Sequence, residues 1–138
     1  MGKGQLRAQM DEKIREYSLE DKVKILDRVP YDSMWKIYTA SDYYVNMSEV
    51  EIFGMAIMEA VYYRCSVAAR RAIGPSLTLK DMRGHCLCDT DAEIEAWITS
   101  DYPCEQALLE SADRVVEDFS WKPCARAFIG QIEAQRTR

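Results

Sequence analysis

The segment SEVEIFGMAIMEAVYY, residues 48–63, contains three carboxylates in a mostly apolar run, and two of them, Glu51 and Glu59, stand eight positions apart on either side of a Phe-Gly turn. In one continuous helix, the two side chains would lie about 80° apart in azimuth and about 12 Å apart along the axis. They could not then share a small ligand easily. If a strand instead ends near Ser48, a loop carries Glu51 and a helix starts near Gly54, both carboxylates can face one pocket. The flanking elements decide between these two folds.

The flanking sequence predicts short strands that alternate with helices. Such an alternation indicates βαβ units and a mostly parallel sheet with helices on both faces, an α/β fold, here as one domain over residues 1–138. Ligands bind such sheets at the carboxyl ends of the strands, and the loop with Glu51 lies at such an end. The sequence therefore favours strand, loop and helix. The predicted strands are KVKIL (22–26), YYVNM (43–47), CSVAA (65–69) and HCLC (85–88).

Helical periodicity or capping signals mark the segments between and after these strands. Asp32 is the predicted N-cap of the second helix, and Asp89 or Thr90 caps the helix after the last strand. A break at SWKP separates the two final helices. The predicted helices cover residues 5–19, 33–41, 54–63, a short helix after Gly74-Pro75, 89–98, 103–119 and 124–135.

Composition narrows the class of protein. The chain has 138 residues, 48% of them hydrophobic and 30% charged, as in an ordinary globular protein. Its net charge of −5 argues against binding to nucleic acid. No apolar run is long enough to span a membrane, and no signal peptide is evident. Five cysteines without framework spacing predict free thiols and a cytoplasmic location, and the HCLC motif around His85 lacks the second cluster of a metal site.

The chemistry of the loop points to a phosphate and a diol. A helix N-terminus offers backbone N–H groups and partial positive charge, and Gly54 lets a ligand approach the backbone closely. Glu59, on the second turn, can accept hydrogen bonds from paired hydroxyls. A nucleotide sugar carries all of these groups. Alternatively, Glu51 is a solvated loop residue and Glu59 a surface helix residue, and the spacing alone does not decide.

Residues 27–69 resemble the C-terminal donor-binding domain of the retaining GT-B glycosyltransferases of family 4. The resemblance covers nearly the whole chain. It is carried by the V-K-I-L strand (23–26), by the Y-x-x-S-D helix end (38–42), by the turn S-x-x-E-x-F-G (48–54), by the Glu59-Ala60 pair, by SVAA (66–69) and by the later FSW (119–121). It implies a Rossmann-like sheet, the C-terminal half of a GT-B fold that lacks its first two strands.

The resemblance also implies roles for individual residues. Glu51 would be the catalytic-site carboxylate that contacts the transferred sugar. The backbone N–H groups of Phe53, Gly54 and Met55 would meet sugar hydroxyls and the diphosphate, and Glu59 would hold the ribose hydroxyls. The family needs no metal or other cofactor here, and a UDP- or GDP-sugar would be the donor substrate.

The resemblance also concerns residues outside the loop that carries Glu51. Gly2 and Gly4 match the family's glycine turn and would lie on the phosphate side. Asp27 stands where the family has glycine and would border the nucleobase. Arg70 and Arg71 follow the third predicted strand, where they either meet the charge of a donor or form a solvated pair.

The resemblance further implies a chain that is incomplete as an enzyme and inactive alone. A missing N-terminal domain would bind the acceptor, a glycan or glycolipid. The whole protein would be a hexosyltransferase of polysaccharide, lipopolysaccharide or glycolipid synthesis. Its location would be cytoplasmic or membrane-peripheral. The alternatives are a non-catalytic relative that serves as a binding or interaction module, and a nucleotide-sugar epimerase, whose further acid–base residues are not found.

Two expectations concern packing. In the strand order 3-2-1-4-5-6 the absent strands would lie between KVKIL and YYVNM, which predicts homo-oligomerisation or strand exchange. Trp121 is expected in the core, whereas Phe128 and Ile132 would form a seam with the missing domain and be underpacked here.

Overall fold

The computed structural model describes residues 4–136. The chain forms two compact units, with the division between Trp35 and Lys36. Each is described by itself, and the single-domain organisation stays a prediction.

The first unit contains one α-helix, α1 (Arg7–Glu16), as the sequence predicted. After a left-handed residue at Ser18, residues 23–30 form neither helix nor strand. The prediction of a strand at 22–26 is therefore wrong. A β-branched segment becomes a strand only when a neighbouring strand satisfies its backbone hydrogen bonds, and all strand pairs among the described residues involve other segments.

A 3-10 turn (Tyr31–Ser33) leads into α2 (Met34–Thr39). The N-cap prediction for Asp32 is wrong, because the turn is already helical at Tyr31 and Pro30 occupies the capping position. The predicted apolar face is confirmed, since Tyr38 is buried and Met34 and Ile37 are half-buried.

The second unit is built on a parallel sheet of three strands among the described residues, in the order β1 (Tyr43–Asn46), β2 (Ser66–Arg70), β3 (Cys86–Cys88). Tyr43 pairs with Ser66, and Ala68 pairs with Cys86. The predicted α/β fold and the order of these three strands are confirmed. Strand β1 lies at one edge of this sheet, and oligomerisation or strand exchange stays a prediction.

Helices cover the sheet because β2 is apolar on both faces. Ala68 and Cys88 pack with Ile94 of α5 (Asp91–Thr99). The alternating residues Val67 and Ala69 are also fully buried, on the face opposite to Ala68. Helix α3 (Met55–Tyr62) packs on β1 and β2, and α6 (Glu105–Phe119) packs on α3.

The remaining helices begin close to the predicted positions. Helix α4 (Ile73–Thr78) starts just before Gly74-Pro75. For α5, the hydroxyl of Thr90 accepts a hydrogen bond from the Glu93 amide, so the prediction of Thr90 as N-cap is confirmed.

The final helix α7 (Trp121–Arg136) follows α6 after the extended residue Ser120. Trp121 is 89% exposed, so its prediction as a core residue is wrong. The aromatic ring of this motif that packs is Phe119, at the end of α6, which meets Phe53. Phe128 and Ile132 are exposed, as expected for a seam, but the seam itself stays a prediction.

Candidate functional site

The loop between β1 and α3 is closed by local hydrogen bonds at the carboxyl edge of the sheet. The side chain of Asn46, the last residue of β1, accepts a bond from the Ser48 amide at 2.8 Å. The Glu51 carboxylate turns back and accepts a bond from the Gly54 amide at 2.9 Å. Gly54 caps α3 in the left-handed conformation, with φ of 88°, which favours glycine. The predicted sequence of strand, loop and helix is therefore present.

Gly74, at the start of α4, packs against the backbone of this loop. The sequence did not predict this contact. The Gly74 amide donates to the Glu51 carbonyl oxygen at 2.8 Å. A Cβ added at Gly74 would lie 2.6 Å from the backbone nitrogen of Phe53 and 2.7 Å from the carbonyl carbon of Ile52. Only glycine lets the two segments approach this closely. The Gly74-Pro75 pair indicated a turn, but nothing local indicated which loop it would contact.

Glu59 lies on the second turn of α3 and contacts the body of the domain. The Tyr38 hydroxyl donates to Oε2 of Glu59 at 3.0 Å. Burial, reinforced by this hydrogen bond and by the negative charge of Glu59, raises the pKa of Tyr38 far above its usual range. Tyr38 is thus a neutral hydrogen-bond donor to the carboxylate.

Both carboxylates affect the pKa of the same residue, Tyr44 of β1. Burial raises the pKa of Tyr44, the charges of both Glu51 and Glu59 raise it further, and a hydrogen bond with Asn46 opposes them. A charge acts on a phenol in this way only over a short range. The charges of both carboxylates therefore act on one tyrosine, while a shared cleft stays a prediction.

The side chains of Phe53 and Met55 leave the turn in different directions. The ring of Phe53 meets Phe119 edge to face, with centroids 5.9 Å apart, and Met55 is exposed. The predicted contribution of these two residues is through their backbone N–H groups, which the turn places at the N-terminus of α3.

The residues predicted on the phosphate and base side belong to the first unit. Gly2 lies outside the described residues. Gly4 is exposed, and its carbonyl oxygen accepts a bond from the Arg7 amide. Asp27 is exposed and pairs with the Arg7 guanidinium at 3.3 Å. Their roles stay predictions.

Arg70 and Arg71, for which two roles were open, both pair with acidic residues that follow β3, one in the loop and one at the start of α5. Arg70 binds Asp91, and Arg71 binds Asp89 at 2.8 Å. The Asp89 carboxylate raises the pKa of Arg71. These ion pairs join the end of β2 to the segment that follows β3.

His85, in the HCLC motif, contacts the backbone of β2. Its Nδ1 accepts a hydrogen bond from the Val67 amide at 3.1 Å, and burial lowers its pKa to about 4. The imidazole is therefore neutral at physiological pH. The thiol of Cys88 donates to Cys86 at 3.3 Å.

A cavity of about 640 Å³ lies at the other end of α3. It is lined by aromatic, aliphatic and charged residues, among them Tyr62, Arg64, Asp113 and Val116. Of the predicted site residues that the structure describes, none lines this cavity, so it provides an internal comparison for ligand mapping.

Taken together, these features define an α/β domain with two carboxylates and a glycine turn at the carboxyl edge of a parallel sheet. The sequence profile of the family described as "Glycosyl transferases group 1" matches residues 1–100. The chain belongs to this family of glycosyltransferases.

A curated relative is similar over part of the chain. It is described as a probable sucrose-phosphate synthase of Thermosipho melanesiensis, and it is 32% identical over 89 residues, which are 64% of this chain. The matched region spans 21% of the relative's own length. Within residues 4–136, no helix is both long and apolar enough to cross a membrane.

Proposed function

We propose that this chain forms the donor-binding part of a glycosyltransferase and binds a nucleotide-diphospho-sugar, such as a UDP- or GDP-sugar. The observation that supports this most is the turn from Glu51 to Gly54, which is held at the N-terminus of α3 by the Glu51 carboxylate and by Gly74. Backbone N–H groups at a helix N-terminus favour the diphosphate. No metal or other cofactor is part of the proposal.

In this proposal, the two carboxylates act on different parts of the donor. Glu51 lies in the loop and contacts the transferred sugar, whereas Glu59, oriented by Tyr38, accepts from the ribose hydroxyls. The bond from the anomeric carbon to the diphosphate breaks, a bond to the acceptor oxygen forms on the same face of the sugar, and the proton of the acceptor hydroxyl passes to the leaving diphosphate. The site contributes by positioning the reactants and by stabilising the charge of the leaving diphosphate.

In the whole protein, an acceptor-binding domain would supply the glycan or glycolipid, so that the transfer of a hexose needs more than this chain. We infer a cytoplasmic location, which the free thiols of Cys65, Cys86, Cys88, Cys104 and Cys124 support.

Nucleotide binding tests the proposed function. Isothermal titration of the chain with UDP, GDP and ADP, each up to millimolar concentration, should show discrimination among the three bases. Glu51→Ala and Glu59→Ala should weaken binding of the corresponding nucleotide sugar, whereas Glu95→Ala, at an exposed position of α5, should leave it unchanged. Equal or absent binding of all three nucleotides would indicate a non-catalytic interaction module instead.

A further inference from the structure

The contact between Tyr38 and Glu59 has a consequence for ligand selection. The tyrosine hydroxyl donates to the Glu59 carboxylate at 3.0 Å, across 21 residues of sequence. We propose that Tyr38 is a positioning residue, which holds Glu59 in the orientation that accepts hydrogen bonds from the two hydroxyls of a ribose. The proposal rests on the donor-binding function above and adds a residue that does not itself touch the donor.

The position of Tyr38 is fixed by packing on several sides. Its side chain is 5% exposed. Its ring stacks on Tyr63 with centroids 5.8 Å apart and planes within 8°, and it lies 6.1 Å from the ring of Tyr44. The thiol of Cys65 donates to the Tyr38 carbonyl oxygen at 3.2 Å. A hydroxyl on a ring held in this way is pre-organised, so the carboxylate that it binds loses rotational freedom before any ligand arrives.

Glu59 can accept bonds from Tyr38 and from a ligand together. An ionised carboxylate has about four acceptor sites on its two oxygens. The tyrosine uses one site on Oε2, and hydrogen bonds to an ionised acceptor are stronger than neutral ones. Two neighbouring hydroxyls can donate to the two oxygens of a carboxylate whose orientation is fixed. The affinity of a ligand that lacks both hydroxyls should therefore not depend on the orientation of Glu59.

The first test compares ligands with and without the diol. Dissociation constants are measured for UDP and GDP and for their 2′,3′-dideoxy analogues, with wild type, Tyr38→Phe and the matched control Tyr63→Phe. Tyr38→Phe keeps the ring and should weaken the ribonucleotide about tenfold, because one bond to an ionised group is lost. Binding of the dideoxy analogue should change less than twofold, and Tyr63→Phe should change neither. Equal effects of Tyr38→Phe on both ligands, or no effect on either, would overturn the proposal.

A second test needs no nucleotide. Urea unfolding of Tyr38→Phe, Glu59→Ala and the double variant forms a double-mutant cycle. We expect a coupling of about tenfold in the unfolding equilibrium constant, and a coupling below twofold would overturn the contact on which the proposal rests. If the coupling is present but wild type binds no nucleotide, the proposed function and the ribose as ligand both fall, whereas the contact between Tyr38 and Glu59 stands.

Discussion

Gly74→Ala should disturb the candidate site more than it disturbs the fold. The new Cβ would lie 2.6 Å from the backbone nitrogen of Phe53 and 2.7 Å from the carbonyl carbons of Ile52 and Phe53. All three atoms belong to the backbone, which cannot rotate away as a side chain can. Because protein interiors are close-packed, the loop must retreat by roughly 0.5–1 Å. This shift also stretches the bond from the Gly74 amide to the Glu51 carbonyl oxygen.

The expected magnitudes separate stability from binding. Overpacking of this size costs about 1–3 kcal/mol, while alanine in place of glycine within α4 returns up to about 1 kcal/mol of helix propensity. The net loss of stability should be about 0–3 kcal/mol. The displaced turn should lower affinity for a nucleotide sugar by about tenfold, or about 1.4 kcal/mol, because its donors no longer match the ligand.

The assay combines urea unfolding with isothermal titration of the nucleotide sugar that wild type binds best. Gly130→Ala is the matched control, since this glycine lies in α7 and its added Cβ has nothing within 4 Å. It should stabilise the chain by up to about 1 kcal/mol and leave binding unchanged. If Gly74→Ala behaves like Gly130→Ala in both measurements, the role assigned to Gly74 is refuted.

Four further predictions follow from the structure. Burial lowers the pKa of His85 to about 4, so the unfolded chain binds a proton at a higher pH than the folded chain does. The contribution of neutral His85 to the free energy of unfolding is therefore complete above about pH 6.5. It should fall by up to about 3 kcal/mol as the pH drops to 4. Urea titrations across this range should show that His85→Asn lacks this component, and equal pH profiles would contradict it. Thr90→Ala removes the cap on the Glu93 amide and should cost about 0.5–2 kcal/mol in thermal unfolding; no measurable loss would exclude a contribution from the cap. Phe119→Ala should release Phe53 and cost at least about 0.5–1.5 kcal/mol, with the Phe53 amide resonance shifted in NMR spectra; an unmoved resonance would argue against the contact. Because β1 is an edge strand of the described sheet, light scattering should show mass increasing with concentration in the micromolar range, and a constant monomer mass would contradict self-association.

The strands of the second unit were predictable because their signals are local. Short apolar runs such as CSVAA, followed by helical segments, indicated a parallel sheet, and β2 is indeed buried on both faces. The position of Glu51 in a loop before α3 followed from the same pattern, since Gly54 breaks any helix that would join the two carboxylates.

The main failures depend on distant partners, whereas the N-cap prediction for Asp32 failed locally, because a 3-10 turn begins at Tyr31. The segment KVKIL has the composition of a strand, but pairing, not composition, makes a strand. Trp121 has the apolar area of a core residue, yet its place at the first position of α7 leaves it exposed, and Phe119 makes the contact instead. The supports of the candidate site, Gly74 and Tyr38, were missed for the same reason, because each acts on a residue 20 or more positions away in the sequence.

Mapping a bound nucleotide sugar onto the chain tests the central claim most directly. ¹H–¹⁵N spectra of the labelled chain, titrated with UDP- and GDP-sugars, report which backbone amides meet the ligand. The proposed function predicts the largest shifts at Phe53 and Met55, smaller responses at Glu59 and at Gly54, whose amide already donates to the Glu51 carboxylate, and the loss of these shifts in Glu51→Ala. Shifts that instead cluster around the cavity at the other end of α3, or no saturable shifts at millimolar ligand, would contradict the claim.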